Sequence, residues 1–231
     1  MSVYVVIDPG HGGKDPGAIG FKINEKDVVL NLAKKLNDHL GQYEKAVVSL
    51  TRWDDRFLEL SERAKFANDR NADLFISLHN NAASASAHGF ESFIYVNAGT
   101  TTARYQNILH EHIMNYLAQL GIYNRGKKRA NFAVVRETKM PAILLENLFI
   151  TNEKENKLLK DDTFLDNLAG AIAAGIAKIF GLKKKNTAPK PMYRVTVDGK
   201  IIYDTAYHSK IESAVMDAVR AGKDQIEVKK L

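Results

Sequence analysis

Short apolar runs that break off at a polar residue set the tightest limit on how this chain can fold. "VYVVI" (3–7) stops at Asp8, "DLFISLH" (73–79) stops at His79, and "AILLENLFI" (142–150) carries Glu146 inside it. Runs this short, rich in β-branched residues and flanked by turn residues, suit buried strands. "KAVVSLTR" (45–52), "GFESFIYV" (89–96) and "FAVVRET" (132–138) read as further strands. Helical patterns separate them. After Asn24, a cap with Asp27 three residues on, Val28, Leu32, Leu36 and Leu40 recur every four residues until Gly41. Residues 60–72 and 101–120 read as helices, the second with Ile108, Ile113 and Leu117 as its stripe. Asn152 and Glu155 have capping-box spacing, and 163–181 is a long apolar helix closed by Gly181. Strands alternating with helices predict an α/β fold: a mixed, mostly parallel sheet with helices on both faces.

That pattern stops at "LKKKNTAPKPM", which predicts a main domain over 1–182, a linker over 183–192 and a small unit over 193–231. In the small unit, "YRVTVDGKIIYDTAY" alternates about Asp198-Gly199 as a β-hairpin does. "SKIESAVMDAVRAG" follows as an amphipathic helix and "DQIEVKK" as a strand, giving β-β-α-β. About 40 residues is near the lower limit for folding alone, so this unit is expected to dimerise or lean on the main domain. It is also where the charge sits. Residues 183–231 hold 11 Lys and Arg against 6 Asp and Glu, five of the chain's six net positive charges. A basic module suits an anionic partner (nucleic acid, acidic membrane or cell wall), or is simply a solvated tail. Clustered aromatics and groove-reading motifs are missing, which argues against nucleic acid. No apolar run approaches the ~18 residues of a membrane span, and "MSVYVVIDPG" does not read as a secretory signal, so a cytoplasmic protein is expected. With no cysteine, any metal must be held by His, Asp and Glu.

The loop after the first strand, "DPGHGGKDPG", resembles a phosphate cradle but fails both phosphate fingerprints. A Walker A loop would need a glycine at Asp8 and a hydroxyl at Asp15, and the dinucleotide pattern needs a glycine at Asp15. A metal site fits better. His11 follows one strand, His79 closes another, Glu25 opens the next helix, and Glu146 sits in an apolar strand where an unpaired carboxylate is costly. Two imidazoles and two carboxylates can converge at the carboxyl edge of the sheet, where such folds gather functional groups. Each also has a plainer reading: turn residue, dipole-favoured first-turn acid, strand end. His39, His88, His110, His112 and His208 have no comparable setting and read as surface or packing residues.

Six segments in order, "IDPGHGGKDPGA", "NEKD", "TRWDDRFLELSERAKFAN", "ADLFISLHNNA", "GFESFIY" and "VVRETKMPAILLENLFITN", resemble the motifs of zinc-dependent N-acetylmuramoyl-L-alanine amidases of the amidase-3 type. The resemblance spans about residues 1–182 and is nearest to Bacillus-type sporulation amidases and endolysins of phages of Gram-positive hosts. It implies Zn2+ held by His11, Glu25 and His79, with Glu146 as the catalytic carboxylate. It also implies hydrolysis of the bond between N-acetylmuramic acid and L-alanine in peptidoglycan. Asp8 or Asp15 would steady an imidazole from behind. One departure is Leu148, where the family has a glycine soon after the glutamate; another is Asn80, where other small residues are common. The expected partners are peptidoglycan and, through the C-terminal unit, an anionic wall polymer or a second copy, with no nucleic acid and no membrane. Without a secretory signal, the protein would reach the wall through a holin or after lysis, as a phage endolysin does; a sporulation or autolytic amidase is the alternative. A non-catalytic peptidoglycan binder and a zinc peptidase acting within the stem peptide are competing readings.

Overall fold

The structure is a computed structural model that describes residues 2–186, 192–205 and 208–231. It divides into two compact units, Met1–Lys184 and Lys185–Leu231. Residues 187–191 of the expected linker and 206–207 of the expected hairpin lie outside the described residues.

In chain order the first unit comprises β1 (Val3–Pro9), β2 (Ile19–Gly20), β3 (Ile23–Asn24), α1 (Glu25–Leu40), β4 (Ala46–Leu50), α2 (Leu60–Asp69) and β5 (Leu74–Asn81). Then come β6 (Phe90–Tyr95), α3 (Thr100–Leu117), β7 (Asn124–Ala130), α4 (Ala133–Arg136), β8 (Ala142–Phe149), α5 (Glu153–Leu159) and α6 (Asp162–Phe180). Six strands form the central sheet in the order β4-β1-β5-β8-β6-β7. All neighbours are parallel except β6 and β8. The fold is therefore mixed α/β with a mostly parallel sheet.

Alternate side chains along each strand serve two unequal layers. Val5, Ile7, Leu74, Ile76, Leu78, Ile143 and Leu145 pack under α1, α3 and α6 in the larger core. Val6, Phe75, Ala142 and Leu144 face the opposite way, where α2, the single turn of α4 and the adjoining Ala72 and Met140 cover them. His79 and Glu146 lie in phase with this second set, because strand side chains repeat every two residues. The thinly covered face thus carries the polar row, and thin cover is what leaves it accessible.

Two expectations change. "FAVVRET" was expected as a strand, but Ala133–Arg136 makes a helical turn that buries the adjacent Val134 and Val135. The strand is instead β7, "NRGKKRA", an edge strand whose charged sequence carries no apolar alternation to read. By average hydropathy, 1.3, α6 reaches the length of a membrane span, which Asp166, Asn167 and Lys178 had hidden from a run-by-run reading. Its Leu165, Leu168, Ile172 and Ile176 are core residues of this unit.

Caps also differ from the spacing alone. Asn24 gives its amide to Asp27, and the first N–H groups of α1 go to Ala18 and Pro16 carbonyls instead. Asn152 caps α5 as expected, but Glu155 turns away to accept from Gly89 and Phe149 N–H. Leu148 is buried at φ 68, beside the register shift between β5 and β8. A left-handed residue at a bulge explains why glycine suits this position; leucine accepts a strain of about 1–2 kcal/mol and fills the core in return.

The second unit is β9 (Tyr193–Val197), β10 (Lys200–Thr205), α7 (His208–Arg220) and β11 (Ile226–Lys230). Its antiparallel sheet has the order β10-β9-β11, with Val195, Ala214 and Ala218 buried. Asp198 and Gly199 both take positive φ, as a two-residue hairpin turn requires.

Candidate metal and catalytic site

Across the carboxyl edge of the sheet, one register row holds the chemistry. His79 pairs with Glu146, and Glu146 pairs with Glu91 of β6. Gly10, whose N–H bonds to the Leu78 carbonyl, extends β1 into this row. Its lack of a side chain is required, since a Cβ there would lie 2.3 Å from the His79 ring.

Glu25 enters from the other layer as the first residue of α1. Its Oε1 lies 3.1 Å from His11 Nε2 and 3.0 Å from His79 Nδ1. Backbone N–H groups fix the carboxylate: Asn80 donates to Oε1 and Ala18 to Oε2, each at 2.9 Å. The two rings meet edge to face, 4.9 Å between centroids. Candidate ligand atoms of His11, Glu25 and His79 all fall within 4.8 Å of one another. Asp15 Oδ2 sits 2.8 Å from His11 Nδ1, so this acid, not Asp8, backs the imidazole and leaves Nε2 for the shared point.

Electrostatics follow from this packing. Burial alone would raise Glu25, but the two imidazoles outweigh it and hold the carboxyl well below the usual range. Burial opposes charge on His11 and His79, yet Glu25 beside both moves them upward, with Asp15 adding to His11. Glu146 goes the other way: burial pushes its carboxyl up to about 7, His79 opposes this, and Glu25 and Glu91 add to it. Its Oε2 is buried and meets no hydrogen-bond donor among the described residues. A carboxylate in that state is suited to taking and giving a proton near neutrality.

The row opens into a cleft of about 500 Å³. Its floor includes His11, His79 and Glu146, and its walls include Phe57, Leu60, Phe132 and Val134.

Arg52 and Arg63 are the parts the sequence reading missed, and Asp8, expected behind an imidazole, instead serves them. Asp8 is fully buried and accepts from Thr51, Ser77 and Arg63 at 2.6, 2.8 and 3.0 Å. Arg63 also donates to the carbonyls of Pro9 and His11, at 2.8 and 2.7 Å. Arg52 donates to Pro9 and Gly10 carbonyls and to Lys26 of α1. A phosphate cradle turns N–H groups inward; this loop gives its carbonyls to two guanidinium groups, which hold His11 at φ 60. The only signal in the sequence was two arginines, 11 residues apart, in "TRWDDRFLELSER". Arg63→Met strands the Asp8 charge and is expected to cost about 3–5 kcal/mol, read by urea unfolding. A loss under about 1 kcal/mol would remove the clamp from the account.

His110 is buried between Ser92 Oγ and Asn124 Oδ1, each at 2.9 Å, which makes it a satisfied core histidine.

Residues 5–178 match the N-acetylmuramoyl-L-alanine amidase family. The endolysin of Bacillus phage SPP1 is 47% identical over 194 residues, spanning 82% of this chain and 71% of that protein. The sporulation-specific N-acetylmuramoyl-L-alanine amidase of Bacillus subtilis is 40% identical over 196 residues, spanning 84% and 74%. Among solved structures, the catalytic domain of the amidase CwlV from Bacillus (Paenibacillus) polymyxa aligns with TM-score 0.73 at 38% identity, covering 78% of this chain and 99% of that one.

Proposed function

The chain belongs to the N-acetylmuramoyl-L-alanine amidase family, and from that premise we propose that it cleaves the bond between N-acetylmuramic acid and L-alanine with a zinc ion held by His11, Glu25 and His79 and with Glu146 as proton carrier. Enzymes of this family act on peptidoglycan, and this chain is an amidase of that kind. The observation that carries the mechanism is Glu25 Oε1 set between two imidazoles, with the Glu146 carboxyl next in the same row.

Two imidazole nitrogens and one carboxylate oxygen, with no thiolate, suit zinc with a position left for substrate. When bound, zinc supplies Lewis acidity at the scissile carbonyl and makes water a better nucleophile at neutral pH. The chain does the rest. Ala18 and Asn80 N–H groups hold Glu25 in place, and Asp15 sets the His11 ring. Glu146 takes the proton of the attacking water and delivers it to the departing alanine nitrogen, so the amine leaves neutral. Phe57, Leu60 and Phe132 border the cleft and limit bulk water around this transfer.

Digestion of purified walls tests this. Fragments with free L-alanine amino termini and intact muramic acid are expected, with activity lost in excess chelator and restored by zinc. New termini inside the stem peptide would make the protein a peptidase, and an unaffected rate in excess chelator would remove zinc.

The likeness to a phage endolysin supports a lytic role at the wall after release through a holin or by lysis. Its excess of basic residues supports wall docking by the C-terminal unit. A catalytically inactive full-length chain should then sediment with walls at low salt and be released at high salt; no binding at low salt, or a two-chain mass in solution, would favour an assembly role.

A further inference from the structure

Beyond Glu146, the polar row continues across β6 to the edge strand β7, where the reaction as described uses nothing. Glu91 is buried and pairs with Glu146 on one side and with Gly126 on the other. Arg125 Nε lies 3.1 Å from Glu91 Oε2, and Lys128 Nζ reaches the same oxygen; Asn81 occupies Oε1. Two cations thus share one carboxylate, and Glu155 acts on Arg125 from further away. Both side chains remain partly open, Arg125 at 31% and Lys128 at 40% exposure.

Gly126, between them in the chain, faces open space. A Cβ on Gly126 would meet nothing within 4 Å. One aromatic pair links the cations to the cleft wall. Phe132 of the cleft wall meets Phe93 edge to face at 5.3 Å, and Lys128 Nζ stands 5.7 Å over the same Phe93 ring. Lys127 belongs to the opposite face, since its register partner is Ser92, a residue of the α3 side. Only part of the strand's charge therefore faces the catalytic row.

We infer that Arg125 and Lys128, gathered over Glu91, form a cationic subsite for a free carboxylate of the stem peptide, about two residues from the scissile amide. The inference rests on the amidase reading above. Its scale fits: the two cations reach Glu91 on β6, which lies two strand spacings, ~10 Å, from β5 and its His79, and two extended residues reach ~7 Å before the carboxylate itself is counted. Arginine and lysine set side by side on a buried acid present N–H donors to an incoming carboxylate without having to be ordered on binding.

Two synthetic substrates decide it: N-acetylmuramoyl-L-alanyl-D-glutamate with the γ-carboxyl blocked as its methylamide and the α-carboxylate free, and the same compound with the α-carboxyl as the amide. The zinc-loaded full chain is expected to show about tenfold higher kcat/KM for the acid, carried by KM, as one charge-assisted hydrogen bond provides. Lys128→Met should narrow the ratio to less than about twofold, and Lys128→Arg should restore it. Lys127→Met, which removes the same charge from the other face, should keep the ratio. Equal kcat/KM for the two substrates would overturn the subsite, as would a ratio that survives Lys128→Met or falls equally in Lys127→Met. Failure of the zinc-loaded chain to cleave either substrate would instead overturn the amidase reading beneath it.

Discussion

Glu146→Gln is expected to lower kcat on purified walls by about 10³-fold while the protein still binds one zinc. Glutamine keeps the volume of glutamate on β8 and the apolar neighbours on either side, but it cannot accept the proton of the attacking water. The carboxyl suits the proposed role because burial pushes it up to about 7, close to neutral pH. A cation at the neighbouring triad opposes that shift and favours the ionised base. The measurement is wall turbidity loss together with metal content by atomic absorption. Near-normal lysis would end the proton-carrier role. Loss of zinc along with activity would make Glu146 a ligand instead.

His79→Ala should abolish both zinc binding and hydrolysis. It removes one of three donors and also the ring against which Gly10 packs. Glu25 keeps its two backbone donors, Ala18 and Asn80, so the rest of the site should hold its shape. Dialysed protein should contain almost no zinc, and excess zinc should not restore the rate. Asp15→Asn offers a graded companion: it leaves all three donors and loosens only the His11 ring, for which about a 10–100-fold loss of zinc affinity is expected. Full zinc occupancy in dialysed His79→Ala would show that this ring is no ligand.

The two variants separate parts of the site that were not equally visible in the sequence. His11, His79 and Glu146 stood out because each interrupts an apolar strand or its end, where a polar group needs a reason. Glu25 was less distinct, since a first-turn acid is favoured at any helix start. The choice between ligand and proton carrier came from the resemblance. Arg52 and Arg63 left almost no local trace, and Asp8 was read only as a support for an imidazole: their role depends on contacts 26–69 residues away in the chain. The strand β7 was invisible for a different reason. An edge strand needs no apolar alternation, and Arg125 and Lys128 find their partner only when β6 lies beside them.

The sequence by itself determined the layering of this protein. Apolar runs of strand length, separated by helical patterns with their stops, admit little except an α/β sheet covered on both faces, and the hairpin signal at Asp198-Gly199 fixes the small unit. It also determined which residue types were available to hold a metal, since a chain without cysteine must use imidazoles and carboxylates. Only the tertiary structure decided which faces these groups share. Strand register puts His79, Glu146 and Glu91 in one row, and uneven helical cover leaves that row open to a cleft. The packing of α1 against the sheet then brings Glu25 to within 3.1 Å of both imidazoles. Register and cover depend on pairing between distant segments, and local patterns carry no record of it.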